Sequence, residues 1–308
     1  MNNQAQHIPT ERVEEEINWD KFKCRCSSIH MALAESRSNP CLTEKQGERL
    51  KELEGKESLT DKMKLEMADL LVKKENSTKV ILSDTYISYL MEEYAWQTEK
   101  MVRVSKELLD IPQIQKGTIV EADSLNLLSL VSGEEYKPNK DANGQRERIY
   151  NDYLSGEVDA YVGEAIMGAD RISDIKSIWD FPTFLCKINE PLLKSNDLQV
   201  KGYMDISGAP EGEIANCLVD TPPFVIEKLR WQLLGKLDVA TFDAPEFKEK
   251  WEIIERSLVF TKIPIHKRVF IKAVEPFTEH EQQKLYDRVK IGREWLHNFH
   301  EMYSQINL

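Results

Sequence analysis

Apolar positions in the first third of the chain recur at the three- and four-residue spacings of amphipathic helices. Thr43 and Gln46 match a capping box, in which the two side chains satisfy free N–H groups at the start of a helix. A long helical pattern opens at Ser83, runs towards Leu109 and ends before Pro112, because proline cannot continue a helix. Between the helix that begins near Thr43 and the pattern that opens at Ser83, a further helix is indicated by five apolar positions: Met63, Leu65, Met67, Leu70 and Leu71. This part of the chain therefore predicts a group of helices.

Beyond residue 116 the pattern alternates between helix and strand. Apolar residues after Lys116 predict another helix, and short alternating segments at 158–162 and 171–176 predict a β-hairpin. This order is typical of an α/β core, here a central mixed sheet flanked by helices over residues 111–308, with a mainly helical part over residues 1–110 packed on it as one domain. The remaining elements are helices near 180–190, 196–207, after Pro223 and at 277–304, and strands near 213–219 and 268–274.

The chain is acidic, with 41 Lys and Arg against 53 Asp and Glu among 308 residues and a formal charge of −12. A protein that coats nucleic acid through its overall field is basic, so any nucleic-acid binding here must use a local groove. No apolar stretch approaches the roughly 18 residues that cross a bilayer, and residues 1–9 are polar. We therefore expect a cytoplasmic protein without a membrane partner.

The cysteines form an odd set of five without a CxxC pair: Cys24, Cys26, Cys41, Cys186 and Cys217. Such a set fits neither a disulfide framework nor a zinc ribbon, so reduced thiols are expected. A metal site that combines the first three with His30 stays an alternative, although the one-residue gap between Cys24 and Cys26 is unusual for structural zinc.

Two acids and a lysine near the predicted hairpin form the most informative group of residues. The hairpin can bring Asp159 opposite Asp174, and the alternation of side chains places Asp174 and Lys176 on one face of their strand. Mg²⁺ prefers oxygen ligands, usually one or two carboxylates together with water and substrate phosphate. An ammonium group beside such an ion can hold the attacking water and stabilise charge on the phosphate.

Three further residues extend this group. Glu121 lies on the preceding helix and can complete the metal set from the far side. Gln199 and Tyr203 are four residues apart on one helix, so both project towards the same place, where an amide and a phenol suit phosphate or base contacts. Each signal alone is typical of a solvated surface, whereas their order along the chain is more specific.

These residues, in this order, resemble the motifs of the PD-(D/E)xK nuclease superfamily, and within it the lambda-exonuclease-like (YqaJ-type) viral recombination nucleases and their RecB-like relatives. Residues 25–30 resemble the family's short Ser-containing segment, and the resemblance covers most of residues 22–304. Residues 43–110 carry no matching motif. The family's helix glutamate is matched by residues 116–121, and its Asp-containing strand by residues 155–159. Its (Asp/Glu)-x-Lys strand is matched by residues 174–176, and the helix that follows by residues 199–204.

The resemblance implies a restriction-endonuclease-like core and metal-dependent hydrolysis of DNA. Asp159, Asp174 and the backbone carbonyl of Ile175 would hold Mg²⁺ or Mn²⁺. Glu121 would support that ion or a second one, and Lys176 would position the attacking water. The exonuclease branch often has Glu where this chain has Asp174, which shortens the reach of the carboxylate by one methylene.

The resemblance also implies how DNA binds. Arg25 and Ser27 would receive a 5′ phosphate, while Gln199 and Tyr203 would support the active-site face or the strand being cut. Related enzymes are commonly ring-shaped trimers and often work with a single-strand annealing protein. No iron–sulfur cluster is expected, because relatives that carry one need a cysteine cluster after the nuclease core and no cysteine follows Cys217.

The leading hypothesis is a 5′-to-3′ exonuclease on duplex DNA ends, phage-encoded or bacterial, which serves recombination or repair. The alternatives are a single-strand or structure-specific endonuclease with the same core, and a non-catalytic DNA-binding protein that retains the fold. An unrelated α/β protein whose acids form a surface network is the remaining interpretation. Contact with the DNA backbone is one interpretation of the basic stretches 137–148 and 266–268, and solvated surface of mixed charge is the favoured one for each.

Overall fold

The computed structural model describes residues 17–36, 42–56, 58–78, 82–102, 111–141 and 143–306. No helix within these ranges is both long and apolar enough to cross a bilayer. The helices are α1 (Ile29–Ala32), α2 (Glu44–Glu54), α3 (Asp61–Thr78), α4 (Asp84–Glu99), α5 (Pro112–Ile119), α6 (Glu121–Ser132), α7 (Phe181–Asn189), α8 (Lys194–Ser207), α9 (Pro223–Leu237), α10 (Pro245–Arg256) and α11 (Glu279–Ser304).

The strands of the described residues form two sheets. They are β1 (Cys24–Arg25), β2 (Lys137–Pro138), β3 (Ile149–Tyr150), β4 (Leu154–Gly156), β5 (Ala160–Val162), β6 (Arg171–Ser177), β7 (Glu211–Cys217) and β8 (Val269–Val274). The smaller sheet has the order β1-β4-β3, and the larger has the order β2-β5-β6-β7-β8. In the larger sheet β6 and β7 are parallel and the other neighbours are antiparallel. The predicted α/β class with a central mixed sheet is confirmed.

Helices cover both faces of the larger sheet. Leu128 of α6 packs in one core cluster with Ala215 of β7. Met204 of α8 packs in another with Ile214. Successive residues of a strand point to opposite faces, so α6 and α8 lie on opposite sides of β7. Asp174 pairs with Ile214 in the register of β6 and β7, which turns its side chain towards α8.

The predicted hairpin is present as β5 and β6, which pair antiparallel with Ala160 opposite Ser173. Asp159 directly precedes β5, so this register brings it beside Asp174. It lies in the bend where the chain passes from β4 in the smaller sheet to β5 in the larger one. A residue in this bend is held by both sheets, which fixes the position of its carboxylate.

The amino-terminal part contributes a strand as well as helices. β1 pairs in parallel with β4 and sets Arg25 beside Ser155. One hydrophobic core cluster contains Tyr89 of α4 together with Val158 and Leu296. Side chains from both parts of the chain are therefore buried together, while the division at residue 110 stays a prediction.

Most of the predicted helices are present, with differences at their ends. The capping box of Thr43 and Gln46 is formed at the start of α2. α4 ends at Glu99, where Lys100 adopts a left-handed conformation with φ of 56°. The helix is thus shorter than predicted, and the predicted end at Leu109 lies outside the described residues. The apolar pattern also does not predict α10, in which charged residues separate the buried positions.

Gly202 of α8 lies too close to its neighbours for any side chain. A Cβ at this position would lie 2.4 Å from Ile29 Cδ1 and 2.9 Å from Cys26 Sγ. Gly202→Ala is expected to lower the free energy of unfolding by about 1–3 kcal/mol, the usual cost of overpacking a core. Urea denaturation measures the change, and a variant as stable as the wild type would contradict the packing.

Gly235→Ala is the matched control for this experiment. Gly235 also lies in a helix, α9, but a Cβ there would meet nothing within 4 Å. Because alanine is more favourable than glycine in a helix by about 1 kcal/mol, the control should be slightly more stable than the wild type. The opposite signs separate crowding from helix propensity.

Candidate active site

Both carboxylate oxygens of Asp159 are held by neighbouring groups. Oδ2 accepts a hydrogen bond of 2.9 Å from the backbone N–H of Ile175. Oδ1 lies 2.9 Å from Nη1 of Arg146. Burial, followed by the negative charge of Asp174, raises the pKa of Asp159 to about 6. The two carboxylates are therefore close enough to repel each other, and a cation between them would relieve that repulsion.

Asp174 and Lys176 share one face of β6, as their spacing predicts. Asp174 is 1% exposed, and its Oδ2 lies 2.7 Å from Nζ of Lys176. The two atoms form an ion pair without the angles of a hydrogen bond, and the buried Oδ2 accepts no hydrogen bond from the described residues. A buried anion is costly unless it is paired and hydrogen-bonded. This oxygen therefore has lone pairs free for a further ligand.

α8 presents Gln199 and Tyr203 to Asp174, as their four-residue spacing predicts. Nε2 of Gln199 donates to Oδ1 of Asp174 over 3.3 Å and to the Tyr203 phenol over 2.8 Å. The tyrosine ring packs against Gly156, where a Cβ would lie 2.5 Å from its Cε1. Burial raises the pKa of Tyr203, which keeps the phenol neutral. The two residues fix the orientation of the Asp174 carboxylate.

Glu121 approaches the same region from the start of α6. Its carboxylate pairs with Arg146, which pairs with Asp159 through another nitrogen. Nζ of Lys140 lies 3.7 Å from Oε1 of Glu121. Glu121 and Asp159 thus share one guanidinium group. Among the residues that the structure describes, no three His, Cys, Asp or Glu side chains form a group that could hold a metal ion.

A basic pocket of about 250 Å³ lies beside these acids. Arg25 and Ser27 line it, together with Arg146 and Arg148. Tyr203 also borders the pocket, so its wall is continuous with the side chains around Asp174. The parallel pairing of β1 with β4 therefore brings the amino-terminal motif to the motifs of the core, although more than a hundred residues separate them in sequence.

Acidic side chains hold the pocket's other two arginines in place, as they hold Arg146. Nη2 of Arg25 lies 2.7 Å from Oε1 of Glu93 on α4. Nη2 of Arg148 lies 2.6 Å from Oε1 of Glu157. Burial raises the pKa of Glu93, although the charge of Arg25 opposes the shift. Half of the Arg25 side chain stays accessible, 44% by area, so it can pair with Glu93 and also reach a ligand.

The sequence pattern does not identify Arg146 and Arg148 as site residues. Both belong to the stretch 137–148, which is interpreted above as solvated surface. The structure instead places Arg146 between two of the predicted acids, with 32% of its side chain exposed. The available signal was the position of two arginines, one residue apart, shortly before the strand that leads to Asp159.

The buried cysteines are packing residues in this structure. Cys24 and Cys26 are free thiols, and burial raises the pKa of Cys24 to about 12 and that of Cys26 well above its ordinary value. The Cys26 sulfur lies close to both Gly156 and Gly202. Cys41, the third cysteine of the alternative metal site, lies outside the described residues.

Lys116 is a fully buried lysine near the end of β6. Its Nζ donates to the carbonyl oxygens of Ile178 over 2.9 Å and Trp179 over 3.0 Å. These carbonyls directly follow β6, the strand that carries Asp174. The lysine therefore ties α5, and with it the start of the next helix at Glu121, to that strand.

The titration of Lys116 predicts how stability depends on pH. Burial lowers its pKa from 10.5 to about 8, against the opposing charges of Asp220 and Asp180. At a pH between about 8 and 10.5, Lys116 is protonated in the unfolded chain and neutral in the folded chain, so the free energy of unfolding rises with pH. Relative to Lys116→Met, the wild type should gain about 3 kcal/mol across this window. Urea denaturation at several pH values measures this difference, and a difference that does not change with pH would contradict it.

Neither a protein-family profile nor a curated protein sequence matches the chain, but solved structures do. A phage-related exonuclease from Haemophilus somnus 129PT aligns with a TM-score of 0.55 at 19% identity, over 92% of this chain and 97% of that one. The alkaline exonuclease LHK-Exo from Laribacter hongkongensis aligns with a TM-score of 0.50 at 10% identity, over 92% of each chain. Likeness at such identities establishes the fold, and the chain has the mixed α/β fold of these exonucleases.

Proposed function

We propose that the protein is a metal-dependent DNA exonuclease that degrades duplex ends in the 5′-to-3′ direction, in phage-type recombination or repair. One observation carries the proposal: Asp159, Asp174 and Lys176 converge beside a pocket lined by three arginines. The fold that the chain shares with a phage-related exonuclease and an alkaline exonuclease supports the same reaction class. A basic pocket within an acidic protein agrees with local DNA contact.

The divalent cation, Mg²⁺ or Mn²⁺, would be held by Asp159 and Asp174. The donors fit such an ion, because the two carboxylates repel each other and a buried oxygen of Asp174 lacks a hydrogen bond. Mg²⁺ commonly takes one or two carboxylates and completes its shell with water and phosphate. The Ile175 carbonyl would be a further oxygen donor, and Glu121, which pairs with Arg146 in the structure, would support the ion from outside this set or hold a second one. When bound, the ion would polarise the phosphate and lower the pKa of a water molecule.

The side chains around the ion would do the remaining work. Lys176 would orient the attacking water and stabilise the charge that develops on the phosphate, since its Nζ is next to Asp174 and 35% of its side chain is accessible. Gln199 would keep the Asp174 carboxylate in one orientation. Burial by the sheet and α8 lowers the local dielectric constant, which strengthens each of these interactions.

The basic pocket would set the direction of digestion. Arg25, Arg146 and Arg148 present planar groups of donors that match phosphate geometry, and Ser27 adds a hydroxyl. A terminal 5′ phosphate in this pocket would leave the adjoining phosphodiester near Asp174. Digestion would then proceed from the 5′ end. A ring-shaped homotrimer and a single-strand annealing partner remain predictions from the resemblance.

The test is a digestion time course on linear duplex DNA labelled at its 5′ or 3′ end, beside covalently closed circles. We expect rapid release of the 5′ label with Mg²⁺, slower loss of the 3′ label, intact circles and no digestion with EDTA. Early release of the 3′ label would contradict the direction. Uncut DNA under every metal condition would contradict the proposed activity.

A single-strand or structure-specific endonuclease with the same site is the second candidate. It is favoured by the opening of the basic pocket into a larger groove, with which it shares Arg25, Arg148 and Ser155. A strand with no nearby end would need such an opening in order to pass through the pocket. Cutting of closed single-stranded circles in the same assay would support this candidate.

A further inference from the structure

A groove of about 1600 Å³ continues from the basic pocket. It runs between residues 17–25, the segment that ends with β1, the carboxyl-terminal half of α4 and the end of α11. Arg25, Arg148 and Ser155 line both spaces, whereas Arg146 and Tyr203 border only the pocket. The basic pocket therefore lies between the acidic residues and the groove.

The groove combines lysines with exposed aromatic rings. Tyr150 is 64% and Trp96 is 40% exposed, and both line the groove. Nζ of Lys23 lies 5.2 Å from the centre of the Tyr150 ring. Nζ of Lys100 lies 5.9 Å from the centre of the Trp96 ring. Accessible rings with cations beside them are the usual platform for unpaired bases and their phosphates.

Charge and size identify the class of ligand. Within the described part of the chain, five basic residues, Lys21, Lys23, Arg25, Lys100 and Arg148, line the groove against two acids, Glu93 and Glu99. This local excess of positive charge stands on a chain whose formal charge is −12. The volume exceeds the roughly 300–1,000 Å³ of small-molecule pockets, which favours a polymer. Single-stranded nucleic acid has the flexibility, the phosphates and the exposed bases that this surface fits.

We propose that the groove binds an unpaired 5′ extension of the DNA substrate. The inference rests on the proposed function, because it takes the basic pocket as the place where a 5′ terminal phosphate binds at blunt ends. A strand with a 5′ tail would pass through the pocket and lie along the groove, with the junction to the duplex at Asp174 and Lys176.

Water would then attack the phosphorus at the junction, and the bond to the 3′ oxygen would break as that oxygen takes a proton. The first product is the whole tail as an oligonucleotide, and the remaining strand begins with a 5′ phosphate.

Binding is measured first, on the full-length Asp174→Asn protein, so that no cutting interferes. The probes are fluorescent DNA hairpins with a blunt 5′-phosphorylated end, a 5′ tail of about eight thymidines or the same tail at the 3′ end, a length within the range that single-strand sites cover. We expect the 5′-tailed hairpin to bind about tenfold more tightly than the blunt one. The 3′-tailed hairpin should bind like the blunt one.

Two groove variants and two controls locate the tail. Tyr150→Ala should remove most of the advantage of the 5′ tail. Lys21→Gln should weaken the salt dependence of binding of the 5′-tailed hairpin, by about 0.7 in the slope of log K against log salt. Phe224→Ala and Lys250→Gln change an exposed ring and an exposed lysine that do not line the groove. Both controls should retain the full advantage of the tail.

Equal binding of blunt and 5′-tailed DNA would overturn the proposal, as would an undiminished advantage in Tyr150→Ala. Equal preference for 3′ tails would overturn it as well. If the groove variants instead lose binding of a partner protein and keep the tail preference, the groove is a protein-docking surface and the proposal is wrong. The wild type with Mg²⁺ should release the tail intact. Failure to cut any DNA, with tail binding retained, would refute the proposed function and leave the single-strand site in place.

Discussion

Replacement of Asp174 by Asn is expected to lower the rate of DNA hydrolysis by about 10³-fold, the largest effect predicted for a single substitution in this chain. The substitution keeps the shape of the side chain and removes the buried negative charge that would hold the cation. Gln199 would still have an oxygen to which it can donate. We therefore expect the fold to persist, and a fluorescent hairpin assay at saturating Mg²⁺ measures the loss.

Asp243→Asn is the matched control for this experiment. Its carboxylate is 88% exposed and pairs with Lys248 at the surface, where such pairs contribute little to stability. The control should cut DNA at the wild-type rate. If Asp174→Asn also cut at that rate with an unchanged melting temperature, the reaction would have to occur elsewhere on the protein.

Lys176→Met is expected to reduce kcat by about 10²- to 10³-fold while the affinity for duplex DNA stays close to that of the wild type. The reason is that the ammonium would act on charge that develops in the transition state, whereas the arginines of the basic pocket would provide most of the ground-state binding. Steady-state kinetics measure kcat, and fluorescence anisotropy with Ca²⁺ in place of Mg²⁺ measures binding.

The same substitution removes the lysine ammonium that pairs with the buried Asp174 carboxylate, so some loss of stability is expected as well. Thermal melting of the variant separates this effect from the effect on chemistry. Lys262→Met, at an exposed position, is the control for loss of a lysine. An increase in KM with unchanged kcat would show that Lys176 contributes to binding and not to the reaction.

Side-chain spacing predicts a large part of the candidate site. The alternation of a strand placed Asp174 and Lys176 together, and the helical period placed Gln199 and Tyr203 together. The hairpin also follows from two short alternating segments with a turn between them. All of these relations are local, so they depend only on the geometry of one strand, one helix or one turn.

The contacts across the fold could not be read in the same way. Arg146 pairs with Glu121 and Asp159 because a loop folds back over the end of a helix, and a loop has no periodicity that reveals its path. The partner of Arg25 is Glu93, on a helix whose sequence carries no recognised motif. Cys26 looks like a ligand in the sequence, yet two distant glycines make the space that its sulfur fills.

The sequence by itself determined the α/β class, the hairpin and the placement of Asp174 beside Lys176, because hydrophobic period and side-chain alternation act over a few residues. Only the tertiary structure decided that β1 pairs with β4, and that the basic pocket therefore lies beside Asp159 and opens into a groove. Such placements depend on which distant surfaces bury each other. That choice minimises the free energy of the whole chain and leaves no mark on the spacing of residues within any one segment.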